Sequence, residues 1–122
     1  MTTRRSLTPQ PEAALGSFTE ALRGHESSVA ICRRLLAGLQ RDDEERHNHL
    51  VATLATYYQC GLRVDRTAER LFLHRNSVRY RLDRVRSLLH LELEHPITVA
   101  VLTIALRLAT TATVEEQLRH AL

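Results

Sequence analysis

Apolar residues recur at gaps of three and four through most of the chain, the spacing that gathers them on one face of a helix. Leu15, Phe18 and Leu22 form the first set, opened by Pro9 or Pro11 and closed by Gly24. Val29, Cys32, Leu35, Leu36 and Leu39 form the second, with Ser27 or Ser28 as its cap. Gly38 and the run Asp42-Asp43-Glu44-Glu45 then mark a break. The run reads as the start of a third helix, because Asp42 and Glu45 have capping-box spacing and negative charge suits the amide end of a helix. His47, Leu50, Val51, Leu54, Tyr57 and Tyr58 supply its stripe, and Gly61 stops it. A short helix follows from Asp65 to Phe72, with Val64, Ala68 and Leu71 inward. Across the brief connection Leu73-His74, the set Val78, Leu82, Val85 and Leu89 predicts a helix over 75–89, with His74 at or near its N-cap. Leu91-Glu92-Leu93-Glu94 alternates but has no partner run, so it reads as an extended linker. Pro96 opens another helix, Ile97 to about Thr110, which is apolar on nearly every face and therefore lies in the core or against a second chain. Val114 to Ala121 reads as a short last helix.

No strand pattern survives, so the fold class is all-α: a small helical bundle. The 122 residues suffice for one domain with a real core, expected over 9–122, after a disordered basic tail at 1–8. Aromatic residues are 4% and Trp is absent, so Leu, Val, Ile and Ala must build that core. Two short helices joined by a tight turn, with small Ala68 where they must cross closely, place a helix-turn-helix at about 64–90.

Charge sharpens this picture. The net charge is only +3, yet residues 61–90 hold eight Arg and three acids, whereas 1–60 hold seven of each and 91–122 hold two Arg and four acids. The whole positive excess sits in one segment, as a nucleic-acid surface requires. On a wheel of roughly 100° per residue, Arg75, Arg79 and Arg86 fall on one flank of the apolar stripe, and Arg81 and Arg84 on the other. Asn76, Tyr80, Asp83 and Ser87 point outward. A polar face between two arginine flanks suits a recognition helix lying in the major groove of double-stranded DNA, between two rows of phosphates. Arg75, Asn76, Ser77, Arg79 and Tyr80 are expected at base edges and nearby phosphates, and Arg81, Arg84 and Arg86 on phosphates. Tyr80 has a second reading, closing the edge of the core. A solubilising helix with an ordinary Arg79–Asp83 pair is the plainer account of the same letters.

The stretch Thr67-Ala68-Glu69-Arg70-Leu71-Phe72-Leu73-His74-Arg75-Asn76-Ser77-Val78-Arg79-Tyr80-Arg81-Leu82-Asp83-Arg84-Val85 closely resembles the C-terminal helix-turn-helix of PucR-type transcriptional regulators, a family that includes regulators of purine catabolism and sugar-diacid use. The block His74 to Leu82 is its most specific part, and looser similarity covers residues 50–110, including Leu50, Leu54, Tyr57, Leu88-Leu89-His90-Leu91 and Pro96. The resemblance implies a Fis-like helix-turn-helix without a wing, binding promoter DNA, usually as a dimer. Arg75, Asn76, Ser77, Arg79, Tyr80 and Arg81 match the family's recognition-helix motif. Leu62-Arg63 stands where the family usually has Gly-Ser; loss of the Ser cap should weaken that helix start by ~1 kcal/mol, with Arg63 offering a phosphate contact in exchange. His95 replaces the Asp that often precedes the Pro. Family members carry a large sensory region upstream, and residues 1–45 are too short for one, so no effector is assigned.

Other chemistry finds little footing. Ile97 to Leu106 is the most apolar run and is too short for a bilayer, which needs ~20 residues, so a cytoplasmic, membrane-free protein is expected. Thr3-Arg4-Arg5-Ser6-Leu7 lacks the apolar stretch that a twin-arginine signal needs. Cys32 and Cys60 sit in helical patterns and read as buried free thiols in a reducing compartment, the favoured reading over a disulfide, which the letters leave open. None of the seven His has metal-ligand company: His47 and His49 are two apart, and no Cys-x-x-Cys or His-Glu-x-x-His occurs. No nucleophile triad, phosphate loop or carboxylate pair points to an enzyme, and no cofactor is implied. The competing function is a homodimerisation or protein-interaction module that keeps the fold without DNA, carried by helix 97–109 and tested at Leu102.

Overall fold

The computed structural model describes residues 8–121, with side chains described from 8 to 109. The tail expected at 1–8 lies, apart from Thr8, outside the described residues. Every element is a helix: α1 (Pro11–Arg23), α2 (Glu26–Arg46), α3 (Leu50–Gln59), α4 (Val64–Leu71), α5 (Arg75–Leu89) and α6 (Pro96–Ala121). The core draws Leu36 and Leu39 from α2, Leu50, Leu54 and Tyr57 from α3, Ala68 from α4, Val78, Leu82 and Val85 from α5, Leu93 from the linker, and Leu102, Ala105 and Leu106 from α6. Helix α5 packs on α2, α3 and α4, so its inner stripe is closed on three sides.

Several boundaries differ from the sequence reading: α2 is capped by His25 instead of Ser27 or Ser28, α4 lies one residue earlier than Asp65 to Phe72, and the larger changes lie around the acidic run and in α6. Helix α2 runs through Gly38 and the acidic run to Arg46, and the break falls at 47–49, where His47 and His49 both take left-handed backbone angles. The acids therefore end one helix instead of starting another. Their capping role survives in a different geometry: the Asp43 carboxylate, in the last turn of α2, accepts the Leu50 and Val51 amides of α3 at 2.6 and 3.1 Å. Two free amide donors at a helix start are thus met by an acid seven and eight residues back. His47 leaves the apolar stripe and becomes the exposed C-cap of α2. The short helix expected from Val114 is a continuation of α6.

Two side chains also trade places. Phe18 faces solvent, and Thr19 is buried in its stead. Thr19 tolerates burial because its hydroxyl donates back to the Leu15 and Gly16 carbonyls. In α6, Leu102 is fully buried within its own chain, so it is not free to face a second chain; Ile97 and Val101 are 67% and 41% exposed. The 91–94 segment is irregular as expected, with Leu93 driven into the core and its carbonyl accepting the Tyr58 hydroxyl at 2.8 Å. Cys32 and Cys60 are free thiols, both half-buried, and burial pushes the Cys32 thiol up from its ordinary range. Among the described residues, no helix is long and apolar enough to cross a membrane.

Candidate nucleic-acid interface

The turn between α4 and α5 positions everything that follows. Helix α4 ends on Phe72, which takes a left-handed φ of 56° and donates its amide back into the last turn of the helix. The Leu73 amide closes on the Ala68 carbonyl at 2.9 Å. Ala68 is buried, as close crossing of two helices demands. His74 then caps α5: its Nδ1 accepts the Asn76 amide at 3.1 Å, and its carbonyl accepts the Ser77 and Val78 amides. At the other end of α4, Leu62 takes φ 64° where the resembling family favours Gly, and Arg63 provides no side-chain cap. Arg63 instead forks onto Asp65 at 3.2 and 2.9 Å, which holds the Asp65 carboxyl below its ordinary range.

On α5, burial of Val78, Leu82 and Val85 turns the polar face outward. Arg75, Asn76, Ser77 and Arg79 are exposed, and Tyr80 is 69% exposed, so its ring does not close the core edge. Neither the Arg75 nor the Arg79 guanidinium is bonded within the described chain, and Arg79 makes no pair with Asp83.

The other three arginines are placed differently. Arg81 donates to the Thr53 hydroxyl on α3 at 3.2 Å. Arg84 forks onto Asp42 on α2, Nη2 to Oδ1 at 2.7 Å and Nε to Oδ2 at 3.4 Å. The Asp42 side chain is only 6% exposed, also receives Asn48, and lies 3.5 Å from Arg46. The hydrogen bonds from Arg84 and Asn48 hold its carboxyl below the usual carboxylate range. Arg86 reaches Asp83 at 2.9 Å and also Glu94 in the linker. Glu94 accepts the Tyr57 hydroxyl at 3.0 Å. Burial works to raise the Glu94 carboxyl, but the bonds from Arg86 and Tyr57 outweigh it and hold it low. Burial, reinforced by Glu94, pushes Tyr57 and Tyr58 up to about 12.

The structure thus brings Arg75, Asn76, Ser77, Arg79 and Tyr80 onto one open surface and ties Arg81, Arg84 and Arg86 into the bundle. Periodicity does not reveal Thr53, Asp42 and Glu94 as partners. The histidines also find their use here: His25, His47, His49, His74, His90 and His95 all stand at helix boundaries, and His25, His74 and His95 accept a first-turn amide through Nδ1.

Comparison with known proteins agrees with this geometry. The family model for the PucR C-terminal helix-turn-helix domain matches residues 50–108, from the first residue of α3 into α6. The purine catabolism regulatory protein of Bacillus subtilis is 38% identical over 73 residues, covering 60% of this chain and 13% of that protein. Uncharacterized proteins of Mycobacterium bovis and Mycobacterium tuberculosis are 32% identical over 98 residues, covering 80% of this chain and 23% of each. The chain therefore spans a minor part of the length of these relatives. No solved structure matches it. Residues 50–108 are a helix-turn-helix domain of the PucR C-terminal kind.

Proposed function

We propose that this chain binds double-stranded DNA sequence-specifically and thereby regulates transcription, with α5 in the major groove. The observation that carries the reading is the open start of α5, where Arg75 and Arg79 extend into solvent beside Asn76, Ser77 and Tyr80. Arginine pairs with guanine through two parallel bonds and asparagine likewise with adenine, each pair contributing ~1–3 kcal/mol of discrimination. Ser77 and Tyr80 suit phosphate or base-edge contacts. For Arg81, Arg84 and Arg86 the phosphate role loses support, because each guanidinium is already bonded inside the chain; we assign them to orienting the helix. The name of the Bacillus relative speaks of purine catabolism, but only its regulatory character is carried over to this chain.

We further propose a homodimer. The exposed Ile97 and Val101 on α6 favour it, and two-fold symmetry in the protein calls for an inverted repeat in the DNA. Selection from a random DNA pool, followed by titration of the recovered sequence at two salt concentrations, tests both ideas. An inverted repeat bound with a steep salt dependence is the expected result. Absence of binding at low salt overturns the DNA reading and leaves an interaction module, for which gel filtration of Val101→Asp is the assay.

A further inference from the structure

Core packing fixes where α5 lies better than how it is rolled. Val78, Leu82 and Val85 sit on α5 as an apolar stripe, and apolar contact has no direction of its own. A carboxylate–guanidinium fork does have direction, because two parallel bonds define both position and plane. The fork on α5 is Arg84 on Asp42, at 2.7 and 3.4 Å. Its acid belongs to the last turn of α2 and is itself fixed, being buried and also bonded to Asn48. The neighbouring Asp43 ties the same turn of α2 to the start of α3. One turn of α2 is therefore fastened to two helices of the DNA-reading unit, although α2 lies ahead of the family match at 50–108.

Magnitude decides whether roll matters. A roll of about 10° moves a side-chain tip by about 1 Å at the outer radius of a helix, ~5–6 Å. Base reading tolerates displacements of only ~0.5 Å. A helix free to roll by that amount keeps its charge and its phosphate attraction but blurs which base Arg79 and Asn76 meet.

We propose that Asp42 is a positioning residue for base reading: through Arg84 it sets the roll of α5, so that α2, upstream of the matched domain, governs which side chains face the groove. This rests on the DNA reading above. It follows that a displacement of α2, by whatever chain or ligand acts on it, changes site discrimination before it changes general DNA affinity.

The test measures two quantities for each variant: the ratio of affinity for the selected sequence to that for mixed-sequence duplex, and the slope of affinity against salt. Asp42→Asn keeps the shape and removes the charge. Its selectivity ratio should fall by about tenfold or more, the value of one good base contact, while mixed-sequence affinity holds or rises. Its salt slope should steepen by up to about one phosphate, as Arg84 is released toward the DNA. Arg84→Met, which leaves Asp42 with Asn48 and Arg46, should lower selectivity similarly with an unchanged slope, and the double variant should be no worse than either single one. A purely structural role would lower both affinities together with the melting temperature and leave the ratio where it was. The inference is overturned if the wild type is selective and folded Asp42→Asn or Arg84→Met is equally so, or if Arg84→Met flattens the slope by about one, which would make Arg84 a phosphate contact. If Asp42→Asn does not fold, Arg84→Met decides alone. A wild-type chain that binds no DNA overturns the underlying reading instead, which keeps the two failures apart.

Discussion

In the first two turns of α5, Arg75 and Arg79 extend into solvent without a bond to the described chain; in the last two, Arg84 and Arg86 are each held by a carboxylate from another part of the molecule. The residue type and the helix are the same. What differs is the neighbour. Asp42 and Glu94 come within reach of the far half, while among the described residues no acid pairs with Arg75 or Arg79. An exposed, unpaired arginine keeps its donors for a ligand; a paired one has its plane fixed and its charge offset. The DNA-binding role proposed for α5 calls for both conditions at once, loose side chains on a firmly held axis, and α5 divides them between its two ends.

The comparison can be broken at several points, most strongly at the open end. Arg79→Ala is expected to lower discrimination between the selected site and a mismatched one by about tenfold to a hundredfold, read by competition titration, with a melting temperature close to wild type. Unchanged discrimination would remove the open end's role. At the tied end, Arg86→Met should lower stability by no more than about 1 kcal/mol, because both partners are over a third exposed and solvent screens the pair. Its salt slope should not change; a slope flatter by about one would return Arg86 to the phosphates and erase the difference between the ends.

Acid should loosen the tied end. Asp42 and Glu94 have carboxyls held below their ordinary range in the folded chain. A depressed folded value means that the stability they contribute is fully present above the unfolded value, ~4, and is lost as pH falls through the folded one. Thermal melts across that range should show a falling melting temperature, and Asp42→Asn should flatten the curve. The smallest effect is expected in the turn. Phe72 is 94% exposed at φ 56°, so it gives no packing to the fold while straining the backbone. Phe72→Asn should stabilise by a few tenths of a kcal/mol, since Asn accepts left-handed angles more readily. A clear destabilisation in urea melts would show that the ring has a contact in the folded chain.

Much of the site was legible because it obeys periodicity. The inward set Val78, Leu82, Val85, the small Ala68 and the His74 cap all follow from spacing and local chemistry, and so does the outward placement of Asn76 and Tyr80 beside Arg75 and Arg79. What escaped were relations between residues far apart in sequence. The wheel that separated Arg84 from Arg79 carries no information on Asp42, forty-two residues away. The acidic run misled for a related reason: four acids in a row suit a helix start locally, but Asp43 meets its amides from the preceding helix, across a break made by left-handed His47 and His49. Few sequence rules mark histidine as a helix boundary, so apart from His74 the letters do not show the histidines' part as punctuation.

The reach of Asp43 bears on how this unit can be cut and moved. The matched segment begins at residue 50, the first residue of α3. A fragment started there would leave the Leu50 and Val51 amides unmet, Arg84 without its acid, and the core faces that cover Leu36 and Leu39 open to water. The domain is thus not a cassette that begins where sequence similarity begins. A graft that carries this helix-turn-helix onto another protein needs its joint ahead of Glu26, so that α2 travels with the helices it fastens.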